Sequence, residues 1–395
     1  MKQFFDISHN IYFYLLLGFL FLVNFSIAAC YVIFTFLIIE LVIFYLSYPR
    51  SQWPRLPKYY KYFLVYLLFS LISTVFSINK LVSLSDNRDF FIFLLFLIFP
   101  AILTNRKRLE YSLLTVLISA FISSLIGVIT ALKEGVSLDH RLRGFTSHWM
   151  TYSGLLMIVF IFFFVYLFYE KRKKIKIPAA VALIVILTAI LLSLTRSVWV
   201  GIFVALGIFI VYYKPKILYV TVPALLILVL VLPGSVLSRI TSIFDMNNET
   251  NRDRFYMYQV AVKIFKDYPL TGVGADNVVA VYDRYKPAEA VLSNPHLHNN
   301  FLQELAERGI FALLSLVAAF VSIFMLLVNK IKNSTDFEKT VALGVLFTFI
   351  GFLIAGLFEY NFGDSEIKFL LFYFLSIPFL KLTMAPQESN ADEKR

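Results

Sequence analysis

Apolar positions in this chain form long runs separated by short polar breaks, and the runs are of the length that helices need to cross a bilayer, about 20 mostly apolar residues. They fall at roughly 10–25, 28–47, 62–78, 90–104, 111–132, 149–169, 177–194, 198–213, 217–238, 309–328, 340–358 and 368–385. The stretch Ile11–Ser47 is too long for one helix and divides near Asn24–Ser26, while Arg196 in Ser193-Leu-Thr-Arg196 separates the seventh run from the eighth. The pattern predicts an all-α polytopic membrane protein of about twelve spans. The first span leads straight into more apolar sequence, so it is expected to act as its own insertion signal.

Basic residues orient these spans. With the N-terminus inside, five short connections hold seventeen Lys and Arg, among them Arg106-Lys-Arg108 and Lys171-Arg-Lys-Lys174, against seven in the short connections of the opposite face. That bias places both termini in the cytoplasm. Residues 239–308 break the pattern of short connections: about seventy residues, eight of them Lys or Arg, lie on the outer face. A loop that long is uncommon unless functional. The expected organisation is therefore spans one to nine over 1–238, an outer layer over 239–308, spans ten to twelve over 309–385 and a cytoplasmic tail over 386–395.

Composition agrees. The chain is 59% apolar and 15% charged, with 43 Phe and a mean hydropathy of +0.78, where soluble proteins run at about 45–50% apolar and about 25% charged. Disorder, collagen-like repeats and an ordinary soluble enzyme are excluded. The net charge of +11 would suggest nucleic acid in a soluble chain; here topology explains it, and no nucleic-acid partner is expected. The single cysteine, Cys30, precludes an intramolecular disulfide and a cysteine metal cluster.

The outer connections gather the residues suited to chemistry. Arg252 and Arg254 open a segment in which Phe255, Tyr258, Ala261, Val262 and Phe265 recur at helical spacing, ending at Pro269 before the turn Leu270-Thr-Gly-Val-Gly274. Such a helix can lie on lipid, its arginines on headgroups, or aim two guanidinium forks at a phosphate. In Ser293-Asn-Pro-His-Leu-His298-Asn-Asn, Asn294 is a plausible helix cap with Pro295 in the first turn. This puts His298 near a helix N-terminus, which favours a nearby anion and a neutral imidazole able to accept a proton. A structural histidine and a metal ligand are the other readings; the His-x-His pair does not share a helix face, and no cysteine or paired carboxylate completes a zinc set. Arg196 sits at a depth where charge is costly and faces a polar cavity or snorkels to headgroups. Arg141, Arg143 and His148 add basic groups to the same face, and Glu359, Asp364 and Glu366 can orient arginines, bind sugar hydroxyls or simply be solvated. Glu40 is the one acid deep within a span, a functional group or an interhelical hydrogen bond. Several arginines and a histidine at one membrane face suit the binding and departure of a lipid-linked diphosphate, with cationic side chains stabilising the leaving charge.

Four stretches in order resemble the O-antigen ligase and O-antigen polymerase superfamily of bacterial inner-membrane glycosyltransferases: Leu194-Thr-Arg-Ser197; Arg254-x-x-x-Tyr258-x-x-Ala261 running into Pro269-Leu-Thr-Gly-Val-Gly274; His298-Asn299 with Gly309 after nine intervening residues; and Glu359-Tyr-Asn-Phe-Gly-Asp-Ser-Glu366. The chain departs from the ligase pattern in having Ala312 for a second glycine and Tyr258 where Trp is common. The resemblance implies transfer of glycan from undecaprenyl diphosphate to the lipid A–core oligosaccharide at the periplasmic face, without metal or other cofactor, among membrane lipids. Arg196 and Arg254 would grip the diphosphate with Arg252 and Arg143 in support. His298 would act as base or orient the acceptor, with Asn299, Glu359, Asp364, Glu366 and His148 on the acceptor side, and the anomeric centre would invert. An O-antigen polymerase, a protein-directed oligosaccharyltransferase and, from another class, a lipid-linked oligosaccharide flippase are the alternatives.

Overall fold

The computed structural model describes residues 2–50, 53, 56–137, 140–219, 223, 234–243, 245, 248–290 and 292–382, and every regular element among them is helical. In chain order the α-helices are α1 (Lys2–Leu22), α2 (Ile27–Ser47), α3 (Tyr60–Val75), α4 (Lys80–Asp86), α5 (Leu95–Ile102), α6 (Arg106–Glu134), α7 (Trp149–Tyr169) and α8 (Lys173–Leu192). They continue with α9 (Arg196–Tyr213), α10 (Gly234–Thr241), α11 (Glu249–Asp267), α12 (Val278–Tyr285), α13 (Asn300–Asn333), α14 (Asp336–Ala355) and α15 (Ser365–Ser376).

Among the described residues seven helices are long and apolar enough to span a membrane, namely α2, α6, α7, α8, α9, α13 and α14. The apolar part of α1, Asn10–Leu22, and α3 are shorter. The expected fourth span is instead a 3-10 segment, Asn87–Leu94, followed by α5. Its polar start is tied down by Asp89, which accepts from Tyr31, Ser365 and Lys368. The expected twelfth begins as α15 and tightens at Pro378 into a 3-10 turn, Ile377–Phe379; a proline lacks the N–H that would continue the ladder. The expected ninth span lies largely, and the tail 386–395 wholly, outside the described residues.

Helix α7 coincides with the apolar run that predicts it and is buried along almost its whole length. It packs against α14, α8 and α9, while α13 lies along α3 and α6 along α8. In lipid no hydrophobic drive operates between helices, so close packing and interhelical polar ties hold them. Ser112 and Tyr373 share a 2.7 Å hydrogen bond, and the Tyr59 hydroxyl donates to the Leu375 carbonyl at 3.1 Å. Glu40 is buried in α2, near Tyr12 of α1.

The long connection has its own core at one end of the bundle, built from Met257, Val260, Ala261, Ile264, Val273, Val278, Leu297 and Ala306. The amphipathic helix is α11, but its buried stripe is Met257, Val260, Ala261 and Ile264; Phe255 and Val262 are exposed. A backbone lock joins this layer to α13. At Gly309 the helix breaks with φ 76°, and the freed carbonyls of Ala306 and Glu307 accept from Val273 N at 2.9 Å and Gly274 N at 2.8 Å. Ile310 N returns a bond to the Pro269 carbonyl at 3.0 Å. A Cβ on Gly309 would collide with the Leu270 carbonyl, and one on Gly272 with the Glu307 backbone, so both positions need glycine for space as well as for positive φ.

Candidate active site

The start of α13 differs from its expected position. Asn299, not Asn294, is the cap: its Oδ1 accepts from Phe301 N at 2.9 Å and Leu302 N at 3.0 Å, satisfying amides that have no partner within the helix. Asn294 instead donates to the Tyr282 hydroxyl at 3.2 Å. The buried Gln303 reaches back to Leu297 N at 2.7 Å and pins the loop that enters the helix. His298, just before the cap, is held at φ 46°, a left-handed conformation that few non-glycine residues adopt and that collects at functional sites.

What aims His298 is the loop after α14. Asn300 N donates to the Gly356 carbonyl at 2.8 Å, Asn300 Nδ2 to Asn361 Oδ1 at 2.7 Å, and Phe362 N returns to Asn300 Oδ1 at 2.9 Å. Asn299 Nδ2 and the Tyr258 hydroxyl both donate to the Leu357 carbonyl at 2.8 Å. This lacing places the buried Glu359 carboxyl 2.9 and 3.0 Å from His298 Nδ1. Burial pushes the Glu359 carboxyl up, but His298, then His296 and Arg254, outweigh it and hold it below its ordinary value. A carboxylate only accepts, so Nδ1 carries the proton and the His298 Nε2 lone pair is left to receive one. His296 lies alongside, the two rings 4.3 Å apart and nearly perpendicular. Its buried Nδ1 has no hydrogen-bond partner among the described residues. Burial, and secondly His298, push it down to about 4.

Beside this pair lies a group of arginines. Leu194, at φ 52°, turns the chain between α8 and α9 so that Arg196 starts α9 inside the protein, 5% exposed. It donates to the Ser242 carbonyl at 2.7 Å, Ser242 Oγ at 3.2 Å and Thr250 Oγ1 at 2.7 Å. Arg239, on α10, donates to the Leu194 carbonyl at 3.3 Å. Burial, then Arg196, Arg141 and Arg254, lower the Arg239 guanidinium to about 10. Arg254, on α11, is within electrostatic reach of both Arg196 and Glu359 and so joins the arginines to the histidine pair. Arg141 reaches Arg196, Arg239 and His148 electrostatically and lies over the Trp149 ring at 4.7 Å. Among the described residues no carboxylate forms an ion pair with Arg196, Arg239 or Arg254.

The structure thus brings Arg196, Arg254, His298, Asn299 and Glu359 together. His148 joins them electrostatically through Glu359 and His298 while capping α7, its Nδ1 accepting from Met150 N at 3.3 Å. Asp364 accepts from Thr151 at 2.8 Å, and burial raises its carboxyl to about 7. Glu366 lies by Asp89 and Lys368 rather than by the arginines. Arg143 and Arg252 are exposed; besides Arg254, the basic groups that the fold places around Arg196 are Arg141 and Arg239. Arg239 escapes sequence reasoning because it falls where an apolar run ends, the usual place for a topology charge. A second buried arginine, Arg308, was likewise unforeseen. It bonds Glu304 at 3.2 Å, Glu307 at 3.2 Å and Asp86 at 2.6 Å, and Tyr66 donates to Glu304 at 2.9 Å.

Residues 181–317 match a family model described as O-antigen ligase. The matched stretch holds Arg196, Arg239, Arg254 and His298, and the match supports the O-antigen ligase superfamily, which spans ligases and polymerases. No curated protein matches the chain.

Proposed function

We propose that this polytopic membrane protein is an O-antigen ligase, moving glycan from undecaprenyl diphosphate to the lipid A–core oligosaccharide at the periplasmic face of the bacterial inner membrane. The reading includes twelve spans with both termini cytoplasmic. The observation that carries it is continuity: Arg196 and Arg239, with no carboxylate ion pair among the described residues, run through Arg254 into the Glu359–His298 pair at one end of the bundle. A lipid diphosphate supplies the missing anionic charge, and its linked anomeric carbon then lies beside the base.

In this mechanism His298 Nε2 takes the proton of an acceptor hydroxyl as the oxygen attacks the anomeric carbon. The carbon–oxygen bond to the diphosphate breaks and its electron pair leaves on the diphosphate oxygen. Arg196, Arg239 and Arg254 stabilise that developing charge, a role worth about 10²–10³ in rate for a single well-aimed donor. Glu359 fixes the His298 tautomer and stabilises the imidazolium, completing base catalysis worth about 10²–10⁴. One displacement inverts the anomeric configuration. The guanidiniums serve the charge that a metal ion meets in other diphosphate chemistry, so chelators leave the rate intact.

The test is reconstitution with the lipid-linked glycan and lipid A–core. Release of undecaprenyl diphosphate with a heavier, inverted lipid product is expected, and His298→Ala abolishes it. Full activity of that variant, a retained anomeric configuration or a strict divalent-metal requirement overturns the mechanism. Glycan crossing the bilayer with no bond cleaved would make the protein a flippase. Lipopolysaccharide from cells lacking the chain separates ligase from polymerase: unattached, fully polymerised glycan is expected, and a single attached repeat would mean polymerase.

A further inference from the structure

His296 has no part in the proposed chemistry, yet the fold buries its Nδ1 without a partner beside the base. A buried nitrogen with an unmade bond is a cost to the fold that a ligand relieves. Its two nearest functional neighbours are metal-ligand types. His296, His298 and Glu359 each offer one ligand atom, and these atoms lie within 4.8 Å of one another. Two imidazoles and a carboxylate form a donor set that holds Zn²⁺ with a fourth position open. The set is invisible in the sequence because Glu359 arrives from the loop after α14, brought in by the bonds from Asn300 to Gly356 and Asn361.

We propose that His296, His298 and Glu359 bind a borderline transition-metal dication, Zn²⁺ being the type case, and that the bound ion switches transfer off. The inhibitory part rests on the reading of His298 as the base; the binding site itself does not. Tetrahedral ligands at zinc bond lengths stand roughly 3.4 Å apart, so the widest of these separations must close by an ångström or so. Binding replaces the hydrogen bond that His298 and Glu359 now share with bonds to the ion. A metal held this way removes the base from the acceptor and the carboxylate from the base together. Arg254, within reach of Glu359, opposes the incoming charge, so an unliganded arginine cluster weakens the metal and a bound diphosphate strengthens it.

The experiment uses the full chain in lipid nanodiscs and Co²⁺ as a spectroscopic stand-in for Zn²⁺. One equivalent of Co²⁺ is expected to give the visible absorption of a tetrahedral site, displaced by Zn²⁺. Zn²⁺ is expected to lower transfer, while His296→Gln retains transfer in the absence of metal and needs at least about tenfold more Zn²⁺ for the same effect. Thermal unfolding verifies that His296→Gln is folded, and His296→Asn replaces it if not. No saturable cobalt spectrum, an undiminished spectrum in the folded His296 variant, or stimulation by Zn²⁺ overturns the proposal. Because the cobalt spectrum is read without turnover, full activity of His298→Ala would remove the base reading and leave the metal site standing.

Discussion

Arg196 and Arg308 are equally buried, 5% exposed each, and both stand at the end of the bundle where the long connection folds over it. Arg308 is enclosed by Glu304, Glu307 and Asp86, with Tyr66 donating to Glu304 as well and Gln303 satisfying the Glu307 oxygen that Arg308 does not reach. Arg196 and its neighbour Arg239 meet carbonyl and hydroxyl oxygens and one another's charge. A buried charge with its counter-charges in place is a structural tie; a group of like charges without them is a cost that binding relieves. Residue type and burial do not distinguish the two. The partners do.

The largest expected effect breaks the comparison at its structural side. Arg308→Ala leaves three carboxylates facing one another and should destabilise the protein by about 3–5 kcal/mol, as breaking buried ion pairs does. Loss of folded protein on size-exclusion chromatography checks it, and a well-folded Arg308→Ala would erase the distinction. Arg196→Ala and Arg254→Ala should do the reverse, lowering transfer by about 10²–10³ each while the protein stays folded. Lysine should not fully restore Arg196, since it lacks the planar fork. Next comes Glu359→Gln, which removes the carboxylate and its hold on the tautomer; kcat should fall with KM for donor little changed. A change confined to KM would move Glu359 out of the proton-transfer step.

Smaller effects sharpen the contrast. Arg239→Gln keeps a donor for the Leu194 carbonyl and removes a charge that burial and three arginines disfavour. It should therefore raise the melting temperature in the absence of donor while lowering transfer, a pairing that a purely structural arginine cannot produce. Asp364 should give the smallest signal. Burial raises its carboxyl from 3.8 to about 7, so the stability it contributes is present below pH 3.8 and lost as pH rises through about 7. Asp364→Asn should flatten that part of the pH–stability curve; an unchanged slope would show that the carboxyl does not carry it.

Much of this was legible along the chain. The run 149–169 became α7 with the same ends, because a helix apolar on all sides needs no partner to define it. A helix opening near Arg252 and stopping before Pro269 was legible from spacing and proline alone, though its buried stripe was not. That stripe depends on Val273, Leu297 and Ala306 arriving from elsewhere. The cap at Asn299 was misplaced to Asn294 because both residues suit a cap, and only the lacing to Gly356, Leu357 and Asn361 selects between them. Arg143 and Arg252 read like Arg196 and Arg254 in sequence; the fold leaves them exposed and substitutes Arg141 and Arg239.

By itself, then, the sequence determined a helical membrane protein with a layered long connection and a set of arginines and histidines near one face, since apolar run length, proline, glycine and charge act locally. Which arginines come within reach of one another, which one is neutralised by acids, and that Glu359 meets His298 across sixty-one positions were decided only in three dimensions. Those facts depend on charges and hydrogen-bonding atoms brought within a few ångströms by helices distant in sequence, and no local pattern encodes such a meeting.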